Sequence, residues 1–68
     1  MLNIKKYSYL LDKNIRIICN NRQTFIGKWI DWTSAQDNEP DPESITIEKP
    51  WGAQIEIFVR DISDIISA

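Results

Sequence analysis

The chain has 68 residues, 43% of them hydrophobic and 26% charged, with a formal net charge of −2. That composition describes one globular domain over residues 1–68 rather than a disordered chain. One cysteine and no histidine exclude an internal disulfide framework, an all-cysteine zinc site and any mechanism built on imidazole.

A chain this short buries only about 60% of its unfolded surface, so its core is small and self-association is a common remedy. Thirteen isoleucines lean the composition towards strands, because β-branched side chains suit a pleated sheet. Residues 1–30 carry +5 and residues 31–68 carry −7. The overall acidity argues against a dedicated phosphate-binding surface, which is normally basic. No run approaches the ~18 apolar residues of a membrane span. The start, Met1-Leu2-Asn3-Ile4-Lys5-Lys6, lacks the apolar stretch of a signal peptide. A cytoplasmic location is the expectation, and a lone cysteine agrees with it.

Asn3 to Leu11 fits two patterns. Asn3 can cap a short helix, while Tyr7, Tyr9 and Leu11 alternate as a strand would. A short helical turn or arm is expected. Lys5 and Lys6 are expected to be solvated, since two lysines make a weak patch. The first clear strand is Asn14–Cys19, with Ile15 and Ile17 on one side and Arg16 on the other. Asn20-Asn21 then suits a tight hairpin, because asparagine tolerates positive φ. A second strand from about Gln23 to Thr33 is apolar on both faces through Phe25, Ile26, Trp29, Ile30 and Trp32. Gly27 in its middle predicts a bend, which would let one strand serve two walls. Residues 34–44 form an acidic loop with Pro40 and Pro42. A third strand, Ile45–Glu48, leads through the turn Lys49-Pro50-Trp51-Gly52 into a fourth, Gln54–Val59. Asp61 to Ile66 fits a helical turn or a strand, and a brief turn followed by a short fifth strand is expected.

Few residues offer chemistry. Asp37, Glu39, Asp41 and Glu43 alternate along the loop, but no glycine completes a calcium-loop pattern, so a solvated acidic loop and no metal or cofactor is expected. Cys19 has no neighbour that would activate a thiolate and reads as a small buried hydrophobe. With two glycines, Gly27 and Gly52, no phosphate-cradling loop exists. Asp61 and Asp64 follow Arg60, but a carboxylate pair needs a pocket. An enzyme is not expected. Three tryptophans are many for so small a core. At least one should fill it, and one or two would serve an interface. Base stacking lacks its usual basic groove.

Five short strands at close spacing indicate an all-β, five-stranded small barrel. The stretch Asn14 to Glu48 resembles the first motif of the Sm-like (LSm) family, an SH3-like barrel. Ile15, Ile17, Asn21, Gly27, Trp29 and Trp32 stand at its strand apolars, turn residue, glycine and following apolars. Glu56-Ile57-Phe58-Val59-Arg60-Asp61-Ile62 loosely resembles the second motif, with Arg60-Asp61 in place of Arg-Gly. Thr33-Ser34-Ala35-Gln36-Asp37-Asn38-Glu39-Pro40 looks like a phrase of short Sm-like proteins from Gram-positive bacteria. The resemblance implies a barrel that joins its fourth strand to the fifth strand of the next subunit. In RNA-binding Sm proteins an aspartate and an asparagine hold one nucleotide. Thr33 stands at the first position here and Asp37 at the second, with Asn38 one residue on, and the bacterial Lys-His pair is absent. The expectation is therefore a non-catalytic binding or adaptor module that acts as a homo-oligomer. Phe58, Val59, Ile62 and Trp29 are expected at its contact. Thr33, Asp37, Asn38, Arg60 and Asp61 are the candidate ligand contacts. A protein partner is compatible with this reading. RNA is the alternative partner, disfavoured by acidity, and no membrane is implied.

Overall fold

Ile4, Tyr7 and Leu10 recur every third residue, the spacing at which side chains eclipse on a 3₁₀-helix. In the computed structural model, which describes residues 2–34 and 42–68, Ile4–Leu10 form a 3₁₀-helix. The Asn3 carboxamide oxygen caps it by accepting from the Lys5 backbone N–H at 3.2 Å. Ile4 and Leu10 are buried, whereas Tyr9 and Leu11, members of the competing strand pattern, are exposed. Packing thus selects the three-residue period.

Five antiparallel strands make one sheet: β1 Asn14–Cys19, β2 Thr24–Thr33, β3 Ser44–Glu48, β4 Gln54–Phe58 and β5 Ile62–Ser67. Their spatial order is β4-β3-β2-β1-β5. The all-β expectation and the strand count hold. The barrel expectation is met only as far as this sheet, in which β4 and β5 are the two edges.

The first half of β2 pairs with β1, from Thr24↔Ile18 to Lys28↔Asn14. Its second half pairs with β3, from Lys28↔Glu48 to Thr33↔Ser44, with Ile30 as an extra residue between Trp29 and Asp31. One long strand therefore belongs to two pairings, which accounts for its apolar residues on both faces. The change of partner falls beside Gly27. A Cβ there would lie 2.9 Å from the Glu48 carbonyl oxygen and 3.2 Å from Ile47 Cδ1. The glycine lets β2 and β3 approach that closely.

The β1–β2 hairpin corrects one detail of the asparagine reading. The residue with positive φ is Arg22, at 71°, not Asn20 or Asn21. The Asn21 side-chain oxygen instead accepts from the Gln23 backbone N–H at 3.0 Å. Arg22 N–H donates to the Cys19 carbonyl at 2.9 Å and Cys19 N–H to the Gln23 carbonyl at 2.8 Å. This is a three-residue loop with a left-handed last member. Asparagine contributes its side chain to the turn, and the strain of positive φ falls on Arg22.

The fourth strand ends at Phe58, one residue before the expected Val59. Val59–Asp61 form a 3₁₀ turn, and β5 follows at Ile62, as the turn-then-strand reading requires. The core gathers Ile15 and Ile17 of β1, Trp29 of β2, Ile45 and Ile47 of β3, Ile57 of β4, Ile62 and Ile65 of β5 and Val59 of the turn between β4 and β5, with Ile4 and Leu10 of the N-terminal helix packed on it. No helix of the described residues is long and apolar enough to cross a membrane.

Candidate functional site

The sheet presents two surfaces built to receive something: its unpaired edges, with a cleft beside one of them, and an apolar groove under the N-terminal helix.

The edges follow from the hydrogen-bond alternation of antiparallel pairs. Val59 N–H donates to the Glu43 carbonyl and Lys49 N–H to the Ala53 carbonyl. In the register Ser44↔Phe58 to Glu48↔Gln54, this makes Ile55 and Ile57 the residues bonded to β3. The backbone groups of Gln54, Glu56 and Phe58 then face outward. On β5, Asn20 N–H donates to the Asp61 carbonyl and Ala68 N–H to the Asn14 carbonyl. With Ile15↔Ser67 and Ile17↔Ile65 in register, Ile65 and Ser67 turn their backbone groups outward in the same way, but the Ile65 N–H is already taken by the Asp64 carboxylate at 2.8 Å. Each edge thus presents polar groups at every second residue, the pattern another strand completes.

Along β4 lies a cleft of about 390 Å³, bordered on its far side by the β1–β2 hairpin. Phe25, Ile55 and Phe58 supply its half-buried apolar surface, and Asn20, Gln23, Glu56 and Asp61 its polar rim. Glu56 is not free within it, since its carboxylate accepts from the hydroxyl of fully buried Ser44 at 2.8 Å. Cys19 lines the cleft floor but is buried. Burial first, and the Asp61 carboxylate second, push its thiol above the ordinary 9.0. Both causes disfavour the thiolate, so the group is a poor nucleophile.

Of the expected ligand contacts, Thr33 ends β2, and Arg60 and Asp61 lie in the turn after β4, two strands away. Thr33, Ser44 and Phe58 lie side by side across β2, β3 and β4. The turn carrying Arg60 and Asp61 starts directly beyond Phe58. The Arg60 guanidinium stands 5.4 Å from the Phe58 ring centroid, a cation–π distance. Asn20 fixes this turn from below: its side-chain amide donates to the Arg60 carbonyl at 3.0 Å and its backbone N–H to the Asp61 carbonyl at 2.8 Å. Asn20 was legible only as a turn former, and its clamp on a segment forty residues away has no local signal. Asp37 and Asn38 lie outside the described residues, as do Glu39 and Asp41 of the alternating acids. Among the described residues no group of three histidine, cysteine or acidic side chains is placed to hold a metal ion.

The expected contact residues divide. Phe58 is half-buried beside the β4 edge, whereas Trp29, Val59 and Ile62 are 2%, 1% and 3% exposed and belong to the chain's own core. Trp29 is held there by its indole N–H, which donates to the Asp31 carbonyl at 2.8 Å. What these three positions offer a second copy is backbone and framework, not side-chain area. The exposed tryptophans are Trp32, at 40%, and Trp51, at 76%.

The groove measures about 350 Å³. Ile4 and Trp29 form its floor, Leu11 and Trp32 its walls, and Lys5 and Ser8 its rim. Trp32 is oriented by two carboxylates: its indole N–H donates to Glu43 at 2.9 Å, and its backbone N–H to Asp31 at 2.8 Å.

No family model, no curated protein and no solved structure matches this chain.

Proposed function

We propose that the chain is an Sm-like small barrel that works as a non-catalytic binding module and assembles with itself by pairing the β4 edge of one copy with the β5 edge of the next. The observation that carries this reading is the pair of outward-facing edges, Gln54, Glu56 and Phe58 on one side and Ile65 and Ser67 on the other. An unprotected edge invites pairing. Natural edges are blunted by charge, above all lysine, or by proline; β4 and β5 contain no lysine and no proline, and the protection present is the Asp64 carboxylate on the Ile65 N–H. Apolar area supports the same step. Phe58 and Ile55 are half-buried, and Ile66 is 40% exposed. Covering them contributes about 25 cal/mol per Å² to a chain with a small core.

The binding role falls to Thr33 at the end of β2 and to Arg60 and Asp61 in the turn after β4, repeated around the assembly. The strand order and the bent, glycine-containing β2 are compatible with the Sm-like pattern found in the sequence. Strand pairing sets the contact but not the rotation between copies, so the subunit number is free. The cytoplasm is the compartment this reading assigns.

The test is static light scattering of the purified chain in the tens-of-micromolar range, alone and after adding a uridine-rich single strand. The reading expects a mass several times 8.0 kDa that the nucleic acid does not change. A single species at the monomer mass refutes it. Tight binding of the strand with steep salt dependence would make RNA the partner instead.

A further inference from the structure

We propose a second contact between copies, separate from the sheet edges: Trp51 of one copy seats in the apolar groove under the N-terminal helix of another, and the exchange is reciprocal. The inference goes beyond edge pairing and does not depend on it.

The knob is built to project. Trp51 is the most exposed large hydrophobic residue among the described residues, at 76%. It sits at the tip of the β3–β4 hairpin on a turn closed by Gly52 N–H to the Lys49 carbonyl at 2.9 Å and Lys49 N–H to the Ala53 carbonyl at 2.8 Å. Gly52 supplies the left-handed φ of 92° that this turn needs. The Lys49 ammonium is drawn away to the Ile26 carbonyl at 2.8 Å. Pro50 stiffens the same turn. An indole presented on so constrained a turn loses little freedom when it docks.

The groove is built to accept an indole. Its floor and walls are Ile4, Trp29, Leu11 and Trp32, and its 350 Å³ stands at the small end of ligand cavities, about 300–1,000 Å³. Trp29 and Trp32 offer ring faces and edges, the surfaces against which a third indole packs best. Trp51 is not among the residues lining the groove of its own chain, so a second copy must supply it.

Area decides between one-way and reciprocal seating. One tryptophan buries about 150–250 Å² and covers a similar area of groove, so a single contact totals on the order of 300–500 Å². That falls short of the roughly 1,000 Å² that marks a specific interface. Two such contacts related by a two-fold axis give on the order of 600–1,000 Å² before flanking residues are counted, and they close rather than propagate.

The test compares self-association of the full chain by sedimentation velocity with Trp51→Ala, with Leu11→Lys and with their equimolar mixture. Hydrogen exchange of the Gln54, Glu56 and Phe58 amides in the same samples reports edge pairing separately. The knob-and-groove contact predicts that each variant alone loses association at least tenfold, and that the mixture, whose heterodimer keeps one contact of the two, stays well below the parent. The first variant keeps an intact groove and the second an intact knob. Edge-amide exchange stays as in the parent chain. Should Leu11→Lys fail to fold, Ser8→Trp, which fills the groove from its exposed rim, takes its place. Unchanged association of Trp51→Ala overturns the proposal, and a mixture that associates as tightly as the parent overturns the reciprocity.

Discussion

Replacing Gly27 by alanine tests the bend of β2, because its sign is set by geometry. At an unhindered position with ordinary backbone angles, glycine to alanine stabilises by about 0.4–1 kcal/mol through the unfolded chain. Gly27 has no positive φ, so backbone strain does not enter. The new Cβ would lie 2.9 Å from the Glu48 carbonyl oxygen, 3.3 Å from its carbonyl carbon and 3.2 Å from Ile47 Cδ1. The isoleucine methyl can rotate away, but the carbonyl cannot move without shifting β3 and its pairing with β4. Overpacking of this kind costs about 1–3 kcal/mol. Gly27→Ala should therefore destabilise, and Gly27→Val should reach the upper end of that range. Net of the ~0.4–1 kcal/mol gained through the unfolded chain, the loss for alanine is up to about 2.6 kcal/mol, and at about 4–8 °C per kcal/mol for a domain this small the midpoint falls by up to about 20 °C. Thermal melts followed by far-UV circular dichroism give the answer. An alanine variant that melts at or above the parent would show that β2 and β3 do not approach closely at Gly27.

Ile17→Ala, at a position with no exposed surface, should cost about 2–5 kcal/mol in denaturant titrations. Asn21→Ala removes the side-chain acceptor of Gln23 N–H and should cost about 0.5–1.5 kcal/mol. Cys19 has a thiol pushed above 9.0 by burial and by Asp61, so the unfolded chain gives up this proton more readily than the folded one. Its contribution to stability is full below the ordinary value and is lost as pH rises through the raised one. Cys19→Ala should flatten the alkaline limb of the stability profile, and a thiol reagent should label the folded parent slowly. Titration with a uridine-rich oligonucleotide at physiological salt should show no affinity tighter than about micromolar, as expected of an acidic chain.

Local patterns carried most of the secondary structure. The alternation at Ile15 and Ile17 and the apolar run around Gly27 marked β1 and β2 because burial on one face, or on two, imposes those periods. The N-terminal segment stayed ambiguous because Tyr7, Tyr9 and Leu11 mimic a strand. What decides it is which side chains find a core, and Ile4, Tyr7 and Leu10 do. The positive φ at Arg22 was hidden because the type of a hairpin loop depends on its pairing register as much as on its residues. The tryptophans were read least well. Their number announced an excess over the core's needs, yet nothing local separates Trp29, held inside by a bond to Asp31, from Trp51 on the opposite hairpin. Thr33, Arg60 and Asp61 were named from the family resemblance rather than from any local pattern, and the last two fall on the turn after β4. The clamp on that turn, Asn20, depends on a contact between distant segments and was not legible.

Residue-resolved amide hydrogen exchange on the assembled protein tests the central claim most directly. Ile55 and Ile57 donate to β3 within one chain, whereas the N–H groups of Gln54, Glu56, Phe58 and Ser67 face outward; the Ile65 N–H already donates to the Asp64 carboxylate. Self-assembly through the edges predicts that these outward amides are protected like Ile55 and Ile57, and that protection fades on dilution. Free-peptide exchange at all four, beside protected Ile55 and Ile57 at high concentration, would contradict it.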